Sequence, residues 1–167
     1  MWLENNDLRL NLVKAEADPE LRQLQDQLPE WYNLSEKVWY AEDMPDRMTF
    51  KIIYRDKAVG AAELVNIRWY NHKSEVRIWL LPEARGKGLG KAALKMLMDL
   101  AFNTLNFHRL EAEVYSFNTQ SLKLIEQLRF RKEGVLREAK FFNGQYHDIL
   151  RFGILRQEYL NLKSANE

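Results

Sequence analysis

The chain has 167 residues, of which 25 are basic and 24 are acidic, so its net charge is +1. This length suits one domain, and an apolar fraction of 46% is enough to fill a single core. The near-neutral charge gives no reason to expect nucleic acid or an anionic membrane surface as a partner. We therefore expect one domain over residues 1–167, with its core at about 8–160 and a frayed polar tail at 161–167.

Several kinds of site are excluded by what the chain lacks. It contains no cysteine, which removes disulfides, thiolate nucleophiles and cysteine-based metal sites. Its three histidines, His72, His108 and His147, have no metal-ligand spacing, so we expect no metal. The N-terminus lacks a basic stretch followed by an apolar core, and no apolar run reaches the roughly 18 residues of a membrane helix. These features predict a cytoplasmic protein.

The first half of the chain predicts a strand, a helix and a three-stranded meander. Leu8–Leu12 alternates like a half-buried strand, and Asp18 with Pro19 starts a helix that runs to about Leu28. The strands of the meander are Met48–Tyr54, Ala58–Ile67 and Glu75–Leu81. Between the helix and the meander, residues 29–45 are rich in aromatic rings and predict one or two short helices and a loop.

The second half alternates helices with strands. The predicted elements are a helix at Lys91–Phe102, a strand at Arg109–Tyr115, a helix from Asn118 to about Leu128, strands at Phe130–Leu136 and Tyr146–Ile154, and a helix at Leu155–Leu160. Asn143-Gly144 marks the turn between the last two strands. A meander followed by crossovers predicts an α/β (α+β) domain with a mixed sheet covered by helices.

A glycine-rich loop, Arg85–Gly90, joins an apolar strand to an amphipathic helix. Glycines let the backbone approach a ligand closely, and the unpaired amides at a helix N-terminus favour an anion such as a pyrophosphate. The loop fits neither a Walker loop nor the dinucleotide fingerprint. It therefore predicts a site for a phosphorylated ligand, and the alternative is a strand-to-helix turn without a ligand.

Three motifs follow one another in the chain. They are Arg-x-x-Gly-x-Gly from Arg85, Asn-x-x-Ser from Asn118 with Glu126–Phe130 and Glu133-Gly134, and Gly-x-Tyr-x-Asp from Gly144 with its continuation to Tyr159. Together they resemble the GNAT N-acetyltransferase superfamily, and the last is similar to the ribosomal-protein N-terminal (RimJ/RimL-like) acetyltransferase branch. The resemblance implies a single-domain GNAT fold with a mixed, mostly antiparallel twisted sheet, acetyl-CoA as the acyl donor and no metal.

The resemblance also implies which residues bind CoA. The amides of the loop would hold the pyrophosphate: Arg85, Gly86, Lys87, Gly88, Leu89 and Gly90. The backbone of Leu80 and Leu81 would lie along the pantetheine as an extra strand. Asn118 would hydrogen-bond the pantetheine, although capping of its helix explains this residue equally well. Two positions depart from the family, since Arg129 replaces a glycine and Ile125 replaces the tyrosine that protonates the leaving thiolate in many relatives.

The catalytic candidates are Ser121 and Glu75. Ser121 could donate a proton to the CoA thiolate, and its alternative is an ordinary first-turn serine. Glu75 could act as a base through water, and its alternative is a carboxylate paired with Arg77. Further candidates for the acceptor side are Tyr115, Tyr146, His72 and the aromatic segment Trp31–Tyr40, whose rings could equally belong to the core.

These residues predict an acetyl-CoA-dependent N-acetyltransferase that transfers the acetyl group directly to a primary amine, because no cysteine is present to form an acyl-enzyme. A protein or peptide N-terminal α-amine is slightly favoured, because the C-terminal motif resembles the ribosomal-protein N-terminal acetyltransferase branch. An α-amine pKa of about 8, against about 10.4 for a lysine, makes deprotonation easier by roughly 3 kcal/mol. The alternatives are a small amine such as a polyamine, amino sugar or aminoglycoside, a non-catalytic acyl-CoA-binding module, and a domain for another nucleotide. A homodimer is compatible with this fold.

Overall fold

The computed structural model describes residues 2–5, 7–14, 17–25 and 44–165. Within these ranges the elements are β1 (Trp2–Asn5), β2 (Leu8–Val13), α1 (Pro19–Gln25), β3 (Met48–Tyr54), β4 (Lys57–Arg68), β5 (Lys73–Leu80), α2 (Leu89–Asp99), β6 (Arg109–Tyr115), α3 (Thr119–Gln127), β7 (Arg131–Phe142), β8 (Gln145–Leu155) and α4 (Arg156–Ser164). The described part of the chain contains no helix long and apolar enough to cross a membrane.

The described strands form one sheet with the order β1-β2-β3-β4-β5-β6-β8-β7. Six neighbouring pairs are antiparallel, and β5 with β6 is the parallel pair. A parallel pair needs a crossover connection, which here carries the glycine loop and α2. The predicted mixed, mostly antiparallel sheet with flanking helices is confirmed.

Two tight hairpin turns connect long antiparallel strands. Arg55 and Asp56 have φ angles of 50° and 59°, and Asn143 and Gly144 have φ angles of 49° and 77°. Positive φ at both central residues matches the right-handed twist of the flanking strands. The Asn143-Gly144 sequence predicts such a turn. Arg55-Asp56 is less typical of it, and the turn forms there because the strands on either side pair with each other.

Apolar side chains cover both faces of the sheet. On one face the main core packs α2 and α3 against the strands, and its fully buried members include Phe50, Leu64, Leu97 and Leu110. On the other face a smaller cluster joins α1 to the sheet, and its members are Leu21, Leu24, Ala61, Trp79 and Leu81. The sheet is therefore the middle layer, and side chains that alternate along a strand point to opposite helical layers.

Several boundaries differ from the predicted ones. Strand β1 was not predicted, and β7 extends six residues beyond the predicted end at Leu136. Most of β7 is exposed, so its apolar alternation is weak. Helix α2 ends in a π-helical turn at Leu100–Thr104. The last helix continues past Leu160 to Ser164. The predicted helix end near Leu28 and the aromatic segment Trp31–Tyr40 lie outside the described residues.

Strands β5 and β6 separate along their length. They pair through Lys73–Glu75 and Arg109–Glu111, but β5 continues to Leu80 and β6 to Tyr115. Beyond the paired residues the two strands diverge, and a cleft opens in the middle of the sheet. This divergence positions the candidate site.

Candidate active site

A cavity of about 480 Å³ fills the cleft between the diverging strands. Its walls come from the second half of β5, the glycine loop and first turns of α2, the end of β6, and α3. The cavity therefore meets the N-termini of two helices and the free edges of two strands. Backbone groups at such positions can bind a ligand without particular side chains.

The glycine loop lies at one end of the cavity, and two of its glycines have a left-handed backbone conformation. Gly86 and Gly88 have φ angles of 73° and 77°, and a Cβ atom at either position would contact nothing. The glycines are thus required by the backbone conformation, since L-residues pay about 1–2 kcal/mol for it. Gly88 is the N-cap of α2 and supplies no side-chain cap. The first-turn amides of α2 lack intrahelical acceptors and remain available for an anion.

The predicted CoA-binding residues do not all contribute to the cavity wall. Leu80 and five residues of the loop line it, namely Arg85, Gly86, Gly88, Leu89 and Gly90, whereas Leu81 and Lys87 do not. The Leu81 N–H donates to the Val59 carbonyl at 2.9 Å, and the Leu81 carbonyl accepts from Ala84. Both backbone groups of Leu81 are therefore engaged within the fold. The diverged stretch of β5 before it lines the cavity, and its last carbonyl, that of Leu80, accepts from Arg85 Nε at 2.9 Å.

Helix α3 forms the opposite wall through its first turn. Asn118 is the N-cap, and its Oδ1 accepts from the Ser121 N–H at 3.1 Å. The same residues line the cavity, so the capping role of Asn118 and a ligand role are compatible. Ile125, one turn later, is 5% exposed and belongs to the core. Ser121 is consequently the hydroxyl that α3 presents to the cavity.

Glu75 is held rigidly at the floor of the cleft. Its two carboxylate oxygens accept from Arg77 Nε at 2.9 Å and from Asn66 Nδ2 at 2.8 Å. Asn66 has a φ of 50° and lies where the register between β4 and β5 shifts, and such a bulge redirects a side chain. The sequence alternative of pairing with Arg77 is what the structure contains, but the carboxylate is 8% exposed rather than on the surface.

A second carboxylate, Glu113 on β6, faces the same cleft and was not among the sequence candidates. Its Oε1 accepts from Arg151 Nε on β8 at 2.7 Å. Burial raises the pKa of Glu113, and the nearby charge of Glu75 raises it further, while Arg151 and Arg77 oppose the shift. The signal in the sequence was the alternation of Glu111, Glu113 and Tyr115, which places these side chains on one face of β6.

The neighbouring Glu111 shows the opposite electrostatic behaviour. Although burial pushes its pKa upward, hydrogen bonds from Arg109 and Lys73 at 2.8 Å and 3.0 Å bring that pKa below its usual value. Arg109 also forms a two-pronged pair with Glu133 on β7. Glu111 and Glu113 lie on one face of the same strand, yet their pKa values are shifted in opposite directions. Glu111 is therefore the more strongly charged structural group, and Glu113 is the one better able to exchange a proton.

The cleft continues into a second cavity of about 510 Å³. The two cavities share Glu75, Ala112 and Glu113 in their walls. The remaining wall of the second cavity is polar, and its charged members are Arg68, Lys73, Arg109, Glu111, Glu133 and Arg151. Glu75 and Glu113 therefore stand at the junction between a mostly apolar slot and a charged chamber.

The other acceptor-side candidates occupy different places. Tyr115 is buried in the wall of the cleft, and burial raises the pKa of its phenol, so the hydroxyl keeps its proton at neutral pH. Its ring stacks on Phe117, which stacks on Phe142 of the β7–β8 hairpin. Tyr146 is 66% exposed on that hairpin. His72 is exposed in the turn between β4 and β5, outside the described walls of both cavities.

Residues 3–131 match the family of the Acetyltransferase (GNAT) domain. The chain belongs to this family. GNAT enzymes transfer an acetyl group from acetyl-CoA to an amine, and the chain is accordingly an N-acetyltransferase with acetyl-CoA as donor. The predicted superfamily and enzyme class are confirmed.

Individual GNAT relatives differ in the acceptor that their names record. A spermidine N(1)-acetyltransferase of Vibrio cholerae is 32% identical over 136 residues, which cover 81% of this chain and 76% of that protein. A putative ribosomal N-acetyltransferase of Bacillus subtilis is 30% identical over 108 residues, covering 65% and 59%. A solved dodecameric spermidine N-acetyltransferase from Vibrio cholerae superimposes with a TM-score of 0.79 at 25% identity, covering 95% and 99%.

The charges around this GNAT cleft differ between its two ends. Arg85, Lys91 and Lys123 line the end at the helix N-termini, whereas Glu75 and Glu113 line the end at the sheet together with Arg77. The cationic end suits the phosphates of acetyl-CoA, because cations and helix N-termini both favour anions. The end with the two carboxylates lies at the junction with the second cavity.

Proposed function

We propose that this GNAT enzyme acetylates a primary amine of a small cationic molecule, with polyamines as the substrate class. The observation that carries this proposal is the pair of carboxylates at the junction of the two cavities, Glu75, which is buried, and Glu113, whose side chain is 13% exposed. Each carboxylate has one arginine partner, Arg77 or Arg151, and an acceptor ammonium placed between the two carboxylates would be a further cation for both.

The second cavity supports the same substrate class. Its volume of about 510 Å³ gives room for the part of an acceptor that extends beyond the reacting amine. Carboxylates and cations alternate around its wall, as in the ion pair of Lys73 with Glu111 at 3.0 Å. A flexible polar chain with several amines matches such a wall better than an apolar acceptor does. The names of the spermidine-acetylating relatives point to the same class.

Acetyl transfer in this site would use the two halves of the cleft differently. The amides of Arg85–Gly90 and the edge of β5 ending at Leu80 would hold acetyl-CoA, and Asn118 would assist from α3. The amine nitrogen forms a bond to the thioester carbonyl carbon, and the carbon–sulfur bond breaks. Ser121 would pass a proton to the departing thiolate. Glu75, held by Arg77 and Asn66, would fix the acceptor through charge.

A peptide N-terminal α-amine is the second candidate acceptor. The C-terminal motif Gly144-x-Tyr146-x-Asp148 and the 30% identity to a putative ribosomal N-acetyltransferase favour it. An α-amine has a pKa of about 8 and needs little help to lose its proton. A polyamine needs more help, and the cleft contains buried carboxylates that could give it.

The test is release of free thiol from acetyl-CoA, with product masses recorded, over spermidine, spermine, an amino sugar, an aminoglycoside and N-terminally free peptides. We expect kcat/KM to be highest for the polyamines. Butylamine, which has one amine and no second cation, is the matched control and should react at least about tenfold less efficiently, in line with loss of one charge pair. Products on peptides alone would establish the second candidate, and no acetylated product would favour a non-catalytic acyl-CoA-binding module.

A further inference from the structure

We infer that Glu113 is the general base that removes the proton from the acceptor ammonium before acetyl transfer. This inference rests on the proposed acetylation of a small amine and deepens it by naming the group that makes a strongly basic amine reactive. Glu113 occupies the wall shared by the two cavities, where the acceptor amine meets the thioester. Glu75 remains a positioning residue.

The hydrogen bonds of the two carboxylates distinguish their roles. Glu75 accepts from Arg77 and from Asn66, one donor on each oxygen, and this arrangement fixes its orientation. Among the described residues, the ion-pair partner of Glu113 is Arg151, whose side chain is 48% exposed and whose Nε contacts Oε1. A carboxylate with one oxygen engaged can offer the other to an incoming ammonium more readily than one bound on both oxygens.

The proton affinity of Glu113 fits this task. A general base works best when its pKa lies near the working pH. Burial and the charge of Glu75 raise the pKa of Glu113, whereas Glu111, on the same face of the same strand, has a lowered pKa. The groups that surround Glu113 are Glu75 and Arg77 on β5, Glu111 and Tyr115 on β6, Glu133 on β7 and Arg151 on β8.

Two protons leave the acceptor nitrogen during the reaction. One proton moves from the acceptor ammonium to the Glu113 carboxylate, which leaves a neutral amine and a carboxylic acid. The amine nitrogen attacks the thioester carbonyl carbon, the carbon–sulfur bond breaks, and the thiolate takes the second proton of the nitrogen by way of Ser121. Glu113 then returns its proton to water. The products are the acetylated amine, free CoA and one proton.

The test compares the pH dependence of kcat in the intact enzyme and in Glu113→Gln. For the wild type we expect an acidic limb set by Glu113 and a plateau above it. For Glu113→Gln we expect kcat about 100-fold lower at neutral pH, since general bases contribute about that factor. Its rate should then rise about tenfold per pH unit towards the pKa of the amine, because only amine that is already neutral reacts.

Glu126→Gln is the control, because it removes an exposed carboxylate of α3 that lines neither of the two cavities. It should keep the wild-type kcat and the acidic limb. If Glu113→Gln does not fold, Glu113→Asp is the deciding variant. We expect it to lower kcat about tenfold and to keep the acidic limb. A wild-type pH profile in Glu113→Gln, or a wild-type kcat in Glu113→Asp, would overturn this inference and leave the proposed function intact. A wild-type enzyme that acetylates no amine would instead overturn the proposed function.

Discussion

In the proposed reaction, the two ends of the cleft would recognise their ligands by different means. At the helix end, the proposed donor site consists of backbone amides in the loop Arg85–Gly90 and at the start of α2. At the sheet end, it consists of charged side chains from β5, β6 and β8, with Glu75 and Glu113 at the centre. The first end depends on local conformation, and the second depends on which side chains the sheet brings together.

This difference would account for relatives whose names record different acceptors for acetyl transfer. A loop of backbone amides tolerates many side chains provided that its glycines remain. An acceptor site built from side chains changes with each substitution, and fold or motif alone does not identify its ligand. Variants at each end should therefore affect donor binding and acceptor chemistry separately.

Among variants that leave Glu113 in place, the largest effect is expected from Gly88→Val. A β-branched residue at a φ of 77° is strongly disfavoured, so the loop must rearrange and its amides lose their direction. We expect the Kd for acetyl-CoA, measured by calorimetry, to rise about 30-fold, the equivalent of roughly 2 kcal/mol. Gly134→Ala is the control, because this glycine has no positive φ and open space around its Cβ position. Equal affinities in both variants would contradict the role of the loop.

Ser121→Ala is expected to lower kcat about tenfold, because the thiolate then takes its proton from water rather than from the hydroxyl. The KM for acetyl-CoA and the midpoint of thermal unfolding should stay close to their wild-type values. Thr119→Ala removes an exposed hydroxyl from the same helical turn and serves as the control. Steady-state kinetics that show the same kcat for the two variants would exclude Ser121 as the proton donor.

Arg151→Gln tests the electrostatics at the sheet end. Arg151 stabilises the charged form of Glu113, so its removal raises the pKa of that carboxyl further. The carboxylate form is the active one, and the acidic limb of kcat should therefore move to higher pH. Arg131→Gln removes an exposed guanidinium from the neighbouring strand, where it pairs with Glu158, and should leave the limb in place. If the acidic limb does not move in Arg151→Gln, the limb belongs to a group other than Glu113.

The smallest effect concerns Arg129, which replaces the glycine usual in the family. Its φ is 65°, so it is the left-handed residue just beyond α3, where glycine avoids steric strain. Arg129→Gly should raise the free energy of unfolding by about 0.5–1 kcal/mol in urea denaturation, with activity unchanged. Glu126→Gly, inside the same helix, should lower it by about 1 kcal/mol. If Arg129→Gly does not raise the free energy of unfolding, the Arg129 side chain compensates for the strain.

The departure at Arg129 is therefore conformational and does not alter the site. Ile125, the second departure, is a core residue, which leaves Ser121 as the hydroxyl that α3 offers to the cavity. Neither residue gives a reason to separate this chain from the catalytic members of its family.

The sequence by itself determined most of the elements and the proposed donor end of the cleft. Strand alternation, the Asn143-Gly144 turn, the Asn118 cap and the glycine loop are local patterns, and each acts through contacts within a few residues. These patterns were enough to predict the mixed sheet and the place of the loop before α2. They could not give the length of β7, because its exposed residues carry little apolar alternation.

Only the tertiary structure decided the acceptor end. The divergence of β5 from β6 after Glu75 opens the cleft, and the register of β8 brings Arg151 to Glu113, 38 residues earlier in the chain. The bulge at Asn66 likewise turns its amide to Glu75. These contacts join residues far apart in sequence, and the raised pKa of Glu113 depends on burial and on charges that no local pattern encodes.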